Sequence, residues 1–243
     1  MVDKKVNDFL IGKLEKYFGD VEGIRIIGEE GCSTKNKEDS NKDLSEGLVF
    51  YVDPIDGTRD FITNNGEWAV MIGLCNNGRP VLGVIYCAAQ DELFYAVKGH
   101  GAYIIRNKKE RSPAKCNQFT SETMSNMICL ISRTNYDELT ENILNELGVH
   151  KRTPCGSFGR KVCSIVAGYA DLYFNMSAKS SYWDSAAPSI IMEEAGGCLI
   201  RKNGEPVFFD GTKTANNYIM YCCPNSIASI VQQVVAKLSG DKP

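Results

Sequence analysis

The sequence predicts an α/β protein built as two halves, a sheet-rich half over residues 1–115 and a half of alternating strands and helices over residues 116–243. Two observations predict it. The 243 residues amount to one large domain or two small ones, at roughly 150 residues per domain. The texture also changes along the chain, from period-2 apolar runs broken by turn residues to strands alternating with helical patterns.

The spacing predicts a helix over residues 4–18, where Val6, Leu10 and Leu14 recur every four residues and Phe9, Tyr17 and Phe18 widen the stripe. A strand at IRII follows, then a charged, flexible stretch over residues 31–47. LVFYV is a short apolar strand that runs into an acidic turn. AVMIGLCNN, GRPVLGVIYCA and ELFYAVKG form an antiparallel meander with breaks at Asn-Gly and Asp-Glu. The basic, polar segment RNKKERSPAKCNQFTSET reads as the connection between the halves. Beyond it, NMICLIS is a strand and NYDELTENILNELG a helix closed by glycine. KVCSIVAGYADLYF is a helix passing into a strand, and SAAPSIIMEEAGG and SIASIVQQVVAKL are helices.

Composition narrows the function. The chain carries 27 Lys+Arg against 30 Asp+Glu, net −3, which gives no bulk positive charge for a nucleic acid. No run approaches the roughly 18 apolar residues of a membrane span, and MVDKKVNDFL does not read as a signal peptide, so a cytoplasmic enzyme is expected. The 10 cysteines contain no Cys-x-x-Cys pair and sit mostly in apolar runs, so they read as free, buried thiols. His100 and His150 are far apart, and nothing suggests a Ser-His or Cys-His mechanism.

The chemistry concentrates in Asp53-Pro54-Ile55-Asp56-Gly57-Thr58, directly after an apolar strand. Two carboxylates beside free backbone N–H groups at a helix start suit Mg²⁺ and phosphate together. A plain surface turn is the alternative reading, because Asp, Pro and Gly favour turns. Glu29 and Glu30 follow the strand IRII, and Asp184 stands near the start of an apolar helix, where it could equally be an N-cap.

The motifs GEE, DPIDGT and WDSAA followed by EEAGG, in that order and spacing, resemble the inositol monophosphatase superfamily of Mg²⁺-dependent, lithium-sensitive phosphatases. The resemblance implies a layered α-β-α-β-α sandwich, of the inositol monophosphatase and fructose bisphosphatase type, with its N-terminal helices shortened. It implies about two to three Mg²⁺ ions held by Glu29, Asp53, Asp56, Asp184 and the carbonyl of Ile55, and inhibition by Li⁺. Thr58 would orient the attacking water together with an acidic residue, Glu29 or Asp3, and attack would invert phosphorus. Gly57 and Thr58 N–H groups would hold phosphate oxygens. Asp3 lies near the chain start, where fraying is expected. The implied partner is a small phosphate ester, with no nucleic acid and no membrane, and the resemblance is compatible with a homodimer.

Within the superfamily, Arg59-Asp60-Phe61, Asn65-Gly66-Glu67-Trp68 and Ser132-Arg133-Thr134-Asn135 resemble the 3'(2'),5'-bisphosphate nucleotidase branch, although that branch usually has His where Asn135 stands. Gly156-Ser157 with Lys161 resembles its substrate pattern. Ser132, Arg133, Asn135, Ser157, Lys161 and Asp184 are therefore the expected substrate contacts. A cation at Lys161 would pair with a second phosphate, which inositol phosphate lacks. An exposed salt bridge is the plainer reading of Arg133 and of Lys161. Inositol monophosphatase, a fructose bisphosphatase and a non-catalytic nucleotide or metal sensor are the competing readings.

Overall fold

The computed structural model describes residues 2–32, 46–133, 136–176, 180–211, 215–216 and 219–240. Helix α1 (Val2–Phe18) begins two residues earlier than its apolar repeat predicts and carries Asp3 in its first turn. Strands β1 (Arg25–Gly28), β2 (Gly31–Cys32) and β3 (Leu48–Asp56) follow, and the short helix α2 (Thr58–Ile62) closes the DPIDGT segment. The predicted meander is present as β4 (Ala69–Asn76), β5 (Arg79–Cys87) and β6 (Glu92–Val97), and β7 (Ala102–Arg106) and β8 (Glu110–Ala114) extend it. These eight strands form one sheet in the order β2-β1-β3-β4-β5-β6-β7-β8. Only β1 and β3 pair in parallel; every other neighbouring pair is antiparallel.

Strand β8 corrects the reading of the basic segment as a plain connection. Its first part pairs with β7 through a tight turn in which Asn107 and Lys108 both take positive φ. No apolar alternation marks β8 because it is an edge strand, held from outside by Arg111 lying 3.8 Å from the Tyr103 ring centroid.

The later residues form β9 (Ile128–Ser132), α3 (Glu138–Glu146), β10 (Lys151–Cys155), α4 (Phe158–Val166), β11 (Leu172–Asn175), β12 (Ser180–Ser181), α5 (Tyr182–Glu194), β13 (Gly197–Arg201), β14 (Ala215–Asn216), β15 (Met220–Pro224) and α6 (Ala228–Ser239). The second sheet runs β10-β9-β11-β15-β13, and β12 pairs separately with β14. Strands β10, β13 and β15 went unpredicted: each is five residues long and too short to show a period.

Five layers result. Helix α1 covers the outer face of the eight-stranded sheet through Ile11 against Ile26, Phe50 and Val52. Helices α4 and α5 lie between the sheets, in one core cluster with Met71 and Ile85 on one side and Leu199 and Cys222 on the other. Helices α3 and α6 cover the far face through Ile143, Leu144, Val231 and Val235. This is the α-β-α-β-α sandwich. No helix among the described residues is long and apolar enough to cross a membrane.

Helix α5 approaches the first sheet unusually closely, and small residues make that approach. Gly73 and Gly83 face each other across β4 and β5. A Cβ built on Gly73 would lie 2.6 Å from the Ala186 Cβ, and one on Gly83 would lie 2.6 Å from the Ala187 carbonyl oxygen. The two alanines of WDSAA thus seat the helix on a pair of glycines and fix its N-terminal turn against β3. Gly73→Ala is expected to cost about 1–3 kcal/mol in urea unfolding through overpacking. Gly12→Ala, where nothing lies within 4 Å, should leave stability unchanged or raise it. Equal effects at the two positions would remove close packing as the cause.

Candidate active site

Three chain turns meet above the middle helices. The first is the β1–β2 turn carrying Glu29, whose N–H donates to the Val52 carbonyl at 3.1 Å. The second is the end of β3. Side chains three apart on a regular strand point to opposite faces. Here the register slips between Asp53, opposite Met71, and Asp56, opposite Ala69, so one extra residue bulges out at Pro54-Ile55 and re-aims the second carboxylate. The third is the first turn of α5, where Asp184 is the third helical residue rather than the N-cap. Its Oδ2 accepts from the Ser181 N–H at 2.6 Å in a capping box.

The carboxylates from these turns feel one another strongly. Burial first, then the charges of Asp56, Asp184 and Glu29, push the Asp53 carboxyl well above the carboxylate range. Asp184 is pushed up to about 7, by burial and then by Asp56. Glu29, open to solvent on one side, is raised by desolvation and then by Glu30, Asp56 and Asp3. Asp3 therefore belongs to this neighbourhood.

Among the described residues, no three acidic, His or Cys side chains already stand as a finished coordination set. Asp56 shows why. Its carboxylate accepts from the Ser157 hydroxyl, from the Phe158 N–H at 3.1 Å and from the Gly159 N–H at 2.5 Å, and so caps α4. The donor set nevertheless fits a hard divalent cation. All its members are oxygens, and Asp53, 2% exposed, keeps one buried oxygen, Oδ1, with no hydrogen-bond partner. The Ile55 carbonyl, the backbone candidate for the set, accepts from the Thr58 hydroxyl at 3.3 Å.

A stability prediction follows from the raised carboxyls. Their native pKa values lie above those of the unfolded chain, so their contribution is complete below pH about 4 and is lost as pH rises through about 7. The metal-free midpoint of thermal unfolding should fall between pH 5 and pH 8, less steeply in Asp184→Asn. Added Mg²⁺ should raise the midpoint more at pH 8 than at pH 5. A metal-free midpoint that rises with pH, with the same slope in Asp184→Asn, would contradict this.

Beside the acidic group lies a cleft of about 550 Å³, bordered by Asp56, Gly57, Thr58, Ser132, Ser157 and Lys161 among others. Gly57, at φ 87°, is the N-cap of α2, and a Cβ there would press on Ser157 Cβ at 3.0 Å and the Glu67 carbonyl at 3.2 Å. Ser157 also takes a positive φ, 53°, and its hydroxyl accepts from the Arg160 N–H at 3.1 Å. A non-glycine residue held there stores strain next to the site. Lys161 is 3% exposed, donates to the Ser157 carbonyl at 3.1 Å and lies 4.6 Å from the Tyr173 ring centroid. Burial lowers its pKa. It makes no ion pair among the described residues, so the exposed salt bridge considered for it is not what the structure has.

Arg133 does match the plainer reading. It forms a two-pronged pair with Glu67 at 2.8 and 2.7 Å, and Glu67 also accepts from the Gly156 N–H at 2.6 Å. Asn135 and Thr134 lie outside the described residues. The cleft also includes Asp60, Tyr173, Asn175 and Ser180, which the sequence reading did not single out as contacts. Asp60 stood within a quoted motif, but the others carry no signal beyond position on an ordinary strand.

The chain is similar to known proteins along most of its length. The family model described as "Inositol monophosphatase family" matches residues 1–235. An inositol-1-monophosphatase of Bacillus subtilis is 32% identical over 86% of this chain and 74% of its own. A 3'(2'),5'-bisphosphate nucleotidase CysQ of Aggregatibacter actinomycetemcomitans is 28% identical over 95% of this chain and 79% of its own. The structure of inositol monophosphatase-II from Staphylococcus aureus superposes with a TM-score of 0.75 at 25% identity, covering 98% of this chain and 81% of that one.

Proposed function

The chain belongs to the inositol monophosphatase family, whose members are phosphatases, and from that premise we propose that it is a Mg²⁺-dependent 3'(2'),5'-bisphosphate nucleotidase releasing the 3'-phosphate of 3'-phosphoadenosine 5'-phosphate. The observation that carries the choice is Lys161, a buried ammonium beside the acidic group with no carboxylate partner among the described residues. An unpaired buried cation favours an anionic ligand. One of its three N–H donors goes to the Ser157 carbonyl, which leaves donors for a second phosphate.

The division near residue 115 belongs to the same proposal, with one half supplying most of the carboxylates and the other Asp184 and the contacts that choose the substrate. Glu29, Asp53, Asp56, Asp184 and the Ile55 carbonyl would hold about two to three divalent ions. Such ions, when bound, offset phosphate charge and raise the acidity of water. The Gly57 and Thr58 N–H groups hold non-bridging phosphate oxygens. The Thr58 hydroxyl, donating to the Ile55 carbonyl, leaves its lone pairs to accept from the attacking water, and Glu29, with Asp3 beside it, takes up the proton. A carboxyl already held above its ordinary range suits that task.

A second reading, inositol monophosphatase, is favoured by one observation: Glu67 already neutralises Arg133, leaving a single free cation for the substrate among the residues proposed to choose it. Phosphate release from 3'-phosphoadenosine 5'-phosphate, inositol 1-phosphate and fructose 1,6-bisphosphate separates the readings. The nucleotide is expected to give the highest kcat/KM, with activation by Mg²⁺ and inhibition by Li⁺. Preference for inositol 1-phosphate would reverse the choice, and no release from any ester would leave the sensor.

A further inference from the structure

Away from the cleft, two thiols face each other across the second sheet. Cys198 on β13 is paired in register with Cys223 on β15, and their sulfurs are 3.5 Å apart. Directly opposed residues of antiparallel strands have Cα atoms about 4.5–5.5 Å apart, inside the span a disulfide bridges. The two thiols differ in access. Cys198 is a partly exposed residue on β13, the edge strand of its sheet, whereas Cys223 on the inner strand β15 is buried.

We propose that Cys198 and Cys223 are a peroxide-responsive dithiol, in which Cys198 is oxidised first and Cys223 resolves it into a cross-strand disulfide. The Cys198 thiolate attacks one oxygen of hydrogen peroxide, the O–O bond breaks, and sulfenic acid and hydroxide form. The Cys223 sulfur then attacks the Cys198 sulfur, the S–O bond breaks, and water leaves with the Cys223 proton. Two thiols lose two electrons, and one peroxide becomes two waters. The environment suits this division of labour. The hydrogen bond with Cys223 lowers the Cys198 pKa, and that same bond, with burial, raises the Cys223 pKa. Cys116 and Cys222 also lie near Cys198, but neither is opposite it in register. The inference is independent of the phosphatase reading.

The test treats the full chain with hydrogen peroxide, unfolds it, alkylates the remaining thiols and maps the digest by mass spectrometry. The expected product is a peptide joining Cys198 to the 222–223 segment, lighter by two hydrogens and returned to thiols by dithiothreitol. It should form at least about ten times faster than exposed Cys32 loses its alkylation. Cys222→Ser should keep the link. Cys223→Ser should abolish it and leave a sulfenic acid at Cys198 that dimedone captures. The proposal is overturned if Cys198 reacts no faster than Cys32, if it joins another cysteine, or if the link survives in Cys223→Ser.

Discussion

Asp53→Asn is expected to lower kcat more than roughly 100-fold with every substrate, while the metal-free protein unfolds no more easily than wild type. Loss of partners one shell outside a metal costs about 10–100-fold, so loss of a direct oxygen ligand should exceed that. Stability should hold because the Asp53 carboxyl is buried and resists ionisation, so an amide of the same shape removes a group whose charging opposes folding rather than a support. Asp56→Asn should match it in kcat but not in stability, because the Asp56 carboxylate also caps α4 through two backbone N–H groups and the Ser157 hydroxyl. That variant should lose about 0.3–1 kcal/mol at the helix end. Near-normal turnover in either variant would refute the assigned ligand set, and a drop in Asp53→Asn with the fold collapsed would make the effect structural.

Lys161→Ala should raise KM for 3'-phosphoadenosine 5'-phosphate about 10- to 100-fold, and that for inositol 1-phosphate less than about 3-fold. A hydrogen bond to a charged group contributes about 1.5–3 kcal/mol, and each 1.4 kcal/mol is tenfold. The Lys161 ammonium also lies over the Tyr173 ring, so Lys161→Met, which keeps an unbranched chain of similar length and removes the charge, is the companion variant. The same selective rise in both variants assigns the effect to the ammonium. Equal rises for the two substrates would remove the reason for preferring the nucleotide.

What could be read from the sequence divides along physical lines. The amphipathic repeat of α1 and the alternation of β4 to β6 are visible because each is long enough to show its period. Strand β8 was invisible because its edge position is served by Arg111 over tyrosines instead of by an apolar face. The acidic motifs were legible as residue types at strand and helix ends. Their meeting was not, since it depends on the bulge at Pro54-Ile55 and on Ala186 and Ala187 seated against Gly73 and Gly83. Those are close approaches between residues more than 100 positions apart. Nothing local disclosed that Glu67 engages Arg133, or that Ser157, at positive φ, donates to Asp56.

Diffraction at the manganese edge from crystals soaked with Mn²⁺, a probe for Mg²⁺, tests the central claim most directly. Anomalous peaks should lie among Glu29, Asp53, Asp56, Asp184 and the Ile55 carbonyl, with Asp56 turned away from α4 to reach them. A soaked crystal with Asp56 still capping α4 and no peak within about 3 Å of Asp53 would contradict the account.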